Sequence, residues 1–520
     1  TGEGMLETPT GSEVHLSNNT GHVLQNKVWN NSGLIDISEG SLVFYGSGND
    51  GGRGSGAYLN NLAGGIINVT SSSFAPLEGY SYYGEPVQIN NFGTINWDAT
   101  YTDSFYSPRI QNLDFNNFGT VNLNQSLTLS GTTGIDQQGW YNIAAGKELS
   151  FSSGYRQIDG NTIFSGDGAI RITDNSYIYF SSPSTLLLPL YLSGGTLSSN
   201  YELNIKTLYW LYGSITGNGL LVTPSDGVAT LIGSGYMSLD NKPWDNYGTI
   251  NLQGGSLALN SFGGDGLPSS SVVLHNRQGS VINQNSSSSS SPIYGTNYYG
   301  YTPSLINEGT INWNGYAADY DYSELAGVDL YNHGLFNVNA NLYLSNSNGV
   351  DSGSYVISQD KSLALYDSYR NLINNASISG NGTLIIGDNS YVTISSDPGK
   401  INPSLIHIAN GTVLFNSSLS NAQLNTPLWL EYGWLDITGN LAIKNLHWSG
   451  GNIGGSGNLI TPTDGIALLD SPDTKTLSLS NWDNAGQIQL TEGQLYLGNY
   501  NYASFASTEQ GSTFGTTVLT

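Results

Sequence analysis

"NTPLWLEYGWLDITGNLAIKN" runs from Asn425 to Asn445. An earlier, otherwise matching part of the chain has no counterpart to it. "SGDGAIRITDNSYIYFSS" from Ser165 matches "SGNGTLIIGDNSYVTISS" from Ser379 at a shift of 214. Gly195 pairs with Gly411 at 216, and Trp210 then pairs with Trp448 at 238. The later copy has gained 22 residues between these landmarks. A globular core rarely absorbs an apolar insert of that size. A solenoid can, because an added turn buries its faces on the turns above and below it.

The rest of the chain carries the same duplication. "GEGMLETPTG" at Gly2–Gly11, "GNGLLVTPSDG" at Gly217–Gly227 and "GSGNLITPTDG" at Gly455–Gly465 align. Pro9, Pro224 and Pro462 are spaced by 215 and 238, and so are Trp29, Trp244 and Trp482. The predicted organisation is a first copy over 1–215 and a second over 216–453 with one extra turn. The start of a third, truncated copy follows over 454–520.

Within each copy the apolar period is 2. In "WDNYGTINLQGGSLAL" from Trp244, Ile250 and Leu252 alternate with Asn251, "QGG" turns the chain, and Leu257 and Leu259 alternate again. Ile35, Ile37, Leu42 and Phe44 repeat those offsets, as do Ile488, Leu490, Leu495 and Leu497. Two short strands with one face inside, joined by a glycine corner, are expected in each phrase. Gly and Asn suit such corners because both tolerate positive φ. The expected fold is all-β: a right-handed parallel β-helix, or β-solenoid, with long inter-coil loops. Asn side chains at equal positions in successive turns are expected to form amide ladders. A propeller would need a blade repeat of about 40–50 residues, and the dominant period here is not that.

Composition narrows the function classes. Only 10% of residues are charged, and 39 acidic against 14 basic residues leave a net charge of −25. So few cations cannot neutralise phosphates, so neither nucleic acid nor an anionic membrane is an expected partner. The chain has no cysteine, which excludes disulfides, thiolate metal sites and cysteine nucleophiles. No apolar run approaches the roughly 18 residues of a membrane span, so no membrane insertion is expected. "TGEGMLETPTG" lacks the basic start and apolar stretch of a signal peptide. The chain reads as a mature protein or a segment of a longer one.

"LYWLYGSITGNGLLVTP", "LHWSGGNIGGSGNLITP" and the "NxGTINW" phrases resemble repeats of large bacterial secreted surface proteins. These are the right-handed β-helix exoproteins of the filamentous-haemagglutinin and autotransporter-passenger kind. An archaeal surface-layer or thread protein of similar composition is a further alternative. The resemblance implies an extracellular or cell-surface location and a non-enzymatic role. That role is adhesin, biofilm-matrix protein or rigid stalk. The implied partners are surface glycans, exopolysaccharide or other copies of the same chain. Two alternatives stand beside it: a β-helix polysaccharide lyase or glycosidase, and a self-assembling surface-layer or filament subunit.

Candidate chemistry is sparse. Arg156 and Arg370 occupy matching positions in "SGYRQI" and "DSYRNL", and Asp174 and Asp388 share a "DNSY" motif. Duplicated residues of this kind read as structural, and no catalytic residue is assigned. "AADYDYSE" brings Asp319, Asp321 and Glu324 close together as candidate calcium ligands, the one cofactor considered. The solvated acidic loop is the blander reading and the favoured one. The tyrosines of "GYSYYGE" (Tyr80, Tyr82, Tyr83) and "YGTNYYGY" (Tyr294, Tyr298, Tyr299, Tyr301) are the candidate ligand contacts. They are placed in loops between turns, where rings near Asp and Asn can stack on sugars. The competing reading is that the same rings pack the loop onto the scaffold.

Overall fold

A computed structural model describes residues 4–47, 56–82, 84–102, 106–173, 175–262, 272–287, 289–297, 301–315, 321–416, 422–479 and 481–498, with the backbone of 504–507. The chain divides into two compact units, Thr1–Trp244 and Asp245–Thr520. Each is a parallel β-solenoid. Among the described residues the only helix is the single 3-10 turn Pro398–Lys400.

In the first unit the early turns contribute three short strands, one to each of three walls, while the ten-residue strands Leu190–Ser199 and Thr207–Thr216 each serve two walls. The first wall begins Met5–Thr8, Val28–Asn31, Ala57–Asn61, Val87–Asn91. The second begins Glu13–Leu16, Leu34–Ile37, Ile66–Val69, Thr94–Trp97. The third begins Gly21–Gln25, Ser41–Ser47, Leu77–Tyr82, Arg109–Gln111. The pairings between these successive turns are parallel and in register. The period-2 pattern is the cause. Ile35, Ile67, Ile95, Val121 and Tyr141 fall one above another and are all fully buried. Each such aliphatic side chain contributes about 1.5–3 kcal/mol of burial, enough to forbid a one-residue slip.

The repeated landmarks hold neighbouring turns together. The buried indoles of Trp29, Trp244 and Trp482 each donate to a threonine one turn earlier: Thr8, Thr223 and Thr461, at 2.9, 3.0 and 3.0 Å. Those threonines belong to the recurring "TP" motif, so the two repeated phrases are halves of one contact.

Asparagine ladders run inside the walls. In the first unit Asn31 donates to Asn61, Asn61 to Asn91 and Asn91 to Asn117, each at 2.8 Å. Their second amide hydrogens go to the carbonyls of Ile66, Thr94 and Thr120. The second unit repeats the ladder through Asn246, Asn276, Asn307 and Asn332. A buried amide satisfied this fully loses little by desolvation.

The corner glycines divide into two kinds. Gly40, Gly255 and Gly493 have φ of 63°, 57° and 78°, the left-handed conformation expected of them. Gly93, in the Asn-x-Gly corner, is required for a different reason. A Cβ there would lie 2.2 Å from the carbonyl oxygen of Gly65 in the turn before. Close stacking of chain on chain, not positive φ, dictates glycine at that corner.

The segment 425–445 forms a turn. In the first unit the third-wall ladder passes from Ile170 to Leu190, Leu208 and Ala229. In the second unit the equivalent ladder passes from Leu384 to Ile406, Leu428, Leu446 and Ala467. Leu428 is the additional rung. Its turn also supplies Trp434–Ile437 and Asn440–Ile443, each paired with a strand on both sides.

Candidate functional site

Tyr80 and Tyr82 lie on the strand Leu77–Tyr82 rather than in a loop. Alternation turns Leu77 inward and Glu78, Tyr80 and Tyr82 outward. One turn earlier Tyr45 is in register with Tyr80. The Tyr45 ring is stacked with Tyr80 at 5.0 Å and with Tyr82 at 6.2 Å, within 11° and 6° of parallel. Both outer rings therefore have nearly the same orientation.

The next turn leaves them uncovered. Its strand Arg109–Gln111 reaches only as far as Glu78. Asn112 then takes φ 54° and the chain turns away. Its carbonyl passes so close over Gly79 that a Cβ there would lie 2.4 Å from it. Tyr80 and Tyr82 remain 37% and 49% exposed beyond the turn. In an unbroken ladder each ring covers the face of the one below and offers solvent only its edge. Here, among the described residues, no ring of the next turn stacks on Tyr80 or Tyr82.

Polar groups border them. Glu78 accepts from the Tyr80 hydroxyl at 2.9 Å and from the Gln111 amide. The hydrogen bond to the Glu78 carboxylate raises the Tyr80 phenol above its ordinary value. Flat rings beside amide and carboxylate groups offer stacking for the apolar face of a sugar and hydrogen bonds for its hydroxyls.

The other tyrosine candidates are not brought to this place. Tyr294 is half-buried on the strand Ile293–Asn297 of the second unit, and Tyr301 is exposed there. Tyr83, Tyr298 and Tyr299 lie outside the described residues. Of the calcium candidates, Asp319 also lies outside them. Asp321 is exposed, and Glu324 accepts from the Ser291 hydroxyl at 3.3 Å. Among the described residues no three His, Asp or Glu side chains form a group able to hold a metal ion.

The duplicated arginines are core residues. Arg156 is 2% exposed and grips Asp136 with Nε and Nη2, both at 2.6 Å. Its Nη2 also donates to the Phe115 carbonyl at 2.8 Å, and Tyr141 donates its hydroxyl to Asp136 at 2.7 Å. Burial lowers the Arg156 guanidinium, but the Asp136 carboxylate outweighs it and holds the group above its ordinary value. Burial first, then Asp136, pushes the Tyr141 phenol well up despite the opposing guanidinium. Arg370, Asp351 and Tyr355 repeat the arrangement in the second unit. In the first unit the aspartate stands where the next Asn of the ladder would be, Asp136 being in register with Asn117, and in the second unit Asp351 accepts from the backbone N–H of Asn332 at 3.0 Å. Asp388 is an exposed turn residue that accepts from Asn410, and Asp174 lies outside the described residues.

One cluster escaped the sequence reading. The extra turn inserts Trp429 between His407 and His447, which stack on its two sides at 4.1 and 5.5 Å. Glu431 and Asp470 accept or share a proton with the two imidazoles at 2.9 and 2.6 Å. The first unit has the Tyr191–Tyr209 stack at the corresponding rungs. The signal in the sequence is that His407 and His447 stand where the first copy has Tyr191 and Tyr209.

No protein-family model matches the sequence, and no curated protein matches it. No helix among the described residues is long and apolar enough to cross a membrane.

Proposed function

We propose that this chain is a non-enzymatic extracellular scaffold, a rigid β-solenoid that makes contact with surface glycans or exopolysaccharide through aromatic rings displayed on its walls. The observation that carries the reading is the pair of parallel, uncovered Tyr80 and Tyr82 faces beside Glu78 and Gln111. Rigidity is supported by the satisfied asparagine ladders, which fix each turn on the next. The constellations most like catalytic machinery, Arg156 with Asp136 and Arg370 with Asp351, are instead mutually paired in the core. A cysteine-free chain suits export before folding.

Co-sedimentation with insoluble polysaccharides, using the folded chain and its Tyr80→Ala/Tyr82→Ala variant, tests this. Each ring face covers apolar C–H surface of a sugar, and a loss of about 1 kcal/mol or more per ring is expected. Binding should fall at least tenfold while the β-type circular dichroism is unchanged. Equal binding by the variant would refute the role of these rings.

A further inference from the structure

The same outer wall of the first unit carries a second feature, at the opposite end of the strand Arg109–Gln111. Arg109 lies with its guanidinium carbon 3.9 Å from the Phe74 ring centroid and 5.9 Å from that of Tyr106. Tyr101 and Tyr106 close around Phe74 with tilted and edge-on rings at 5.1 and 5.9 Å. Tyr101 and Tyr106 are exposed.

Arg109 is unlike every other described arginine. Arg156, Arg171, Arg277 and Arg370 each hold a carboxylate, in Asp136, Glu148, Asp245 and Asp351. Arg109 has no ion pair and no side-chain hydrogen bond among the described residues, and its Nε is buried without a partner. The Arg109 side chain as a whole is half-buried. A chain with 39 carboxylates and 14 cations could readily supply this guanidinium with a carboxylate, yet among the described residues none is placed there. The duplication sharpens the point. Arg109 is in register with Thr128, and the residue in register with the equivalent Tyr343 is Glu324. The second copy reverses the charge at this position.

We propose that Arg109, on the aromatic bed of Phe74, Tyr101 and Tyr106, is a subsite for the carboxylate of a uronate sugar, so that the wall binds an acidic polysaccharide. The inference rests on the glycan reading of Tyr80 and Tyr82 and adds the charge of the ligand. A planar guanidinium offers paired N–H donors that match a carboxylate. The flanking rings cover the apolar face of a pyranose. From Arg109 through the Gln111–Glu78 level to Tyr82 the outer wall spans about six residue steps, about 20 Å. That length fits a short oligosaccharide rather than one sugar. The overall net charge of −25 opposes approach, but screening over about 8 Å at physiological salt confines the repulsion to near neighbours.

The test is calorimetry at physiological ionic strength with EDTA present. The probes are an oligogalacturonate, a neutral β-linked glucose oligomer of equal length, and oligoglutamate. Wild-type protein is expected to prefer the oligogalacturonate over the neutral oligomer by at least tenfold. Arg109→Gln should bring that ratio close to one, and Arg109→Glu, which imports the residue of the second copy, should bring it below one. Tyr82→Ala should weaken both sugars. Equal affinity for the two sugars in wild-type protein, or a ratio that Arg109→Gln leaves unchanged, overturns the uronate subsite and leaves the glycan reading standing. Binding of oligoglutamate as tight as that of the uronate overturns the saccharide assignment of the subsite. Failure of wild-type protein to bind either sugar overturns both.

Discussion

Replacing Arg156 with Met should unfold one level of the first unit, and the size of the effect follows from what it leaves behind. Arg156 supplies two bonds to Asp136 at 2.6 Å and one to the Phe115 carbonyl at 2.8 Å. Without it, the fully buried Asp136 retains the Tyr141 hydroxyl as its side-chain donor. Removing one partner of a buried ion pair typically costs about 3–5 kcal/mol, because the other charge stays desolvated. Replacing the whole cluster, Asp136→Leu, Arg156→Met and Tyr141→Phe together, should recover most of that loss, since apolar side chains of similar volume need no compensation. Urea unfolding followed by circular dichroism gives the stability. Hydrogen exchange resolved by peptide gives the location, expected between the strands Asp114–Asn117 and Tyr155–Ile158. Solenoid stability is a sum of turn and interface terms, so protection should fall locally before it falls globally. A single variant within about 1 kcal/mol of wild type would refute the reasoning. So would a triple variant no more stable than the single one.

Two further outcomes are expected. Lys242 is fully buried, and its Nζ donates to the Ser199 carbonyl at 2.7 Å. Burial pushes its ammonium down to about 7 from 10.5. Above pH 7 the unfolded chain binds a proton that the folded chain does not, so stability should rise with pH. The rise approaches about 1.4 kcal/mol per pH unit between pH 7 and 9. Urea midpoints at the two pH values should show it in wild type and lose most of it in Lys242→Met; an equal slope in both would count against a neutral buried lysine. Asn91→Ala removes a rung that accepts from Asn61 and donates to Asn117 and the Thr120 carbonyl. A loss of about 2–4 kcal/mol is expected by urea titration, from several buried partners left unpaired. A change under about 0.5 kcal/mol, the range of an ordinary surface substitution, would mean that the ladder contributes little.

Much of the architecture was legible because a solenoid writes its period into the chain. Ile35 and Ile37 recur as Ile67 and Val69 one turn later, and the walls follow from that. The asparagine ladders were legible for the same reason. The left-handed conformation expected of the glycine corner holds at Gly40, whereas the need for glycine at Gly93 comes from contact with the turn before, which is invisible in a local window. Duplication alone marked Arg156 and Arg370 as structural. Their carboxylates, Asp136 and Asp351, sit about a turn away in sequence and emerge only once the register is known. The tyrosines were recognised by type and placed in loops. Their exposure is decided elsewhere, by the departure of the chain at Asn112, and no feature of "GYSYYGE" encodes it.

If repetition here is architecture, one turn is the unit of the chain, and it can be taken out whole. Leu428 is in register with Leu446, Leu435 with Ile453 and Leu441 with Leu459, an offset of 18 residues on all three walls. Excising residues 428–445 joins Pro427 to Leu446 and sets Leu446 on Ile406, as Leu208 sits on Leu190 in the first unit. The decisive measurement is hydrogen exchange on this variant, beside a second variant that lacks only residues 428–436. The whole-turn excision should keep the protection of Leu405–Ile408 and Ile466–Leu469 at wild-type levels, while the part-turn excision abolishes it. Equal loss of protection in both variants would contradict the turn as the unit of this fold.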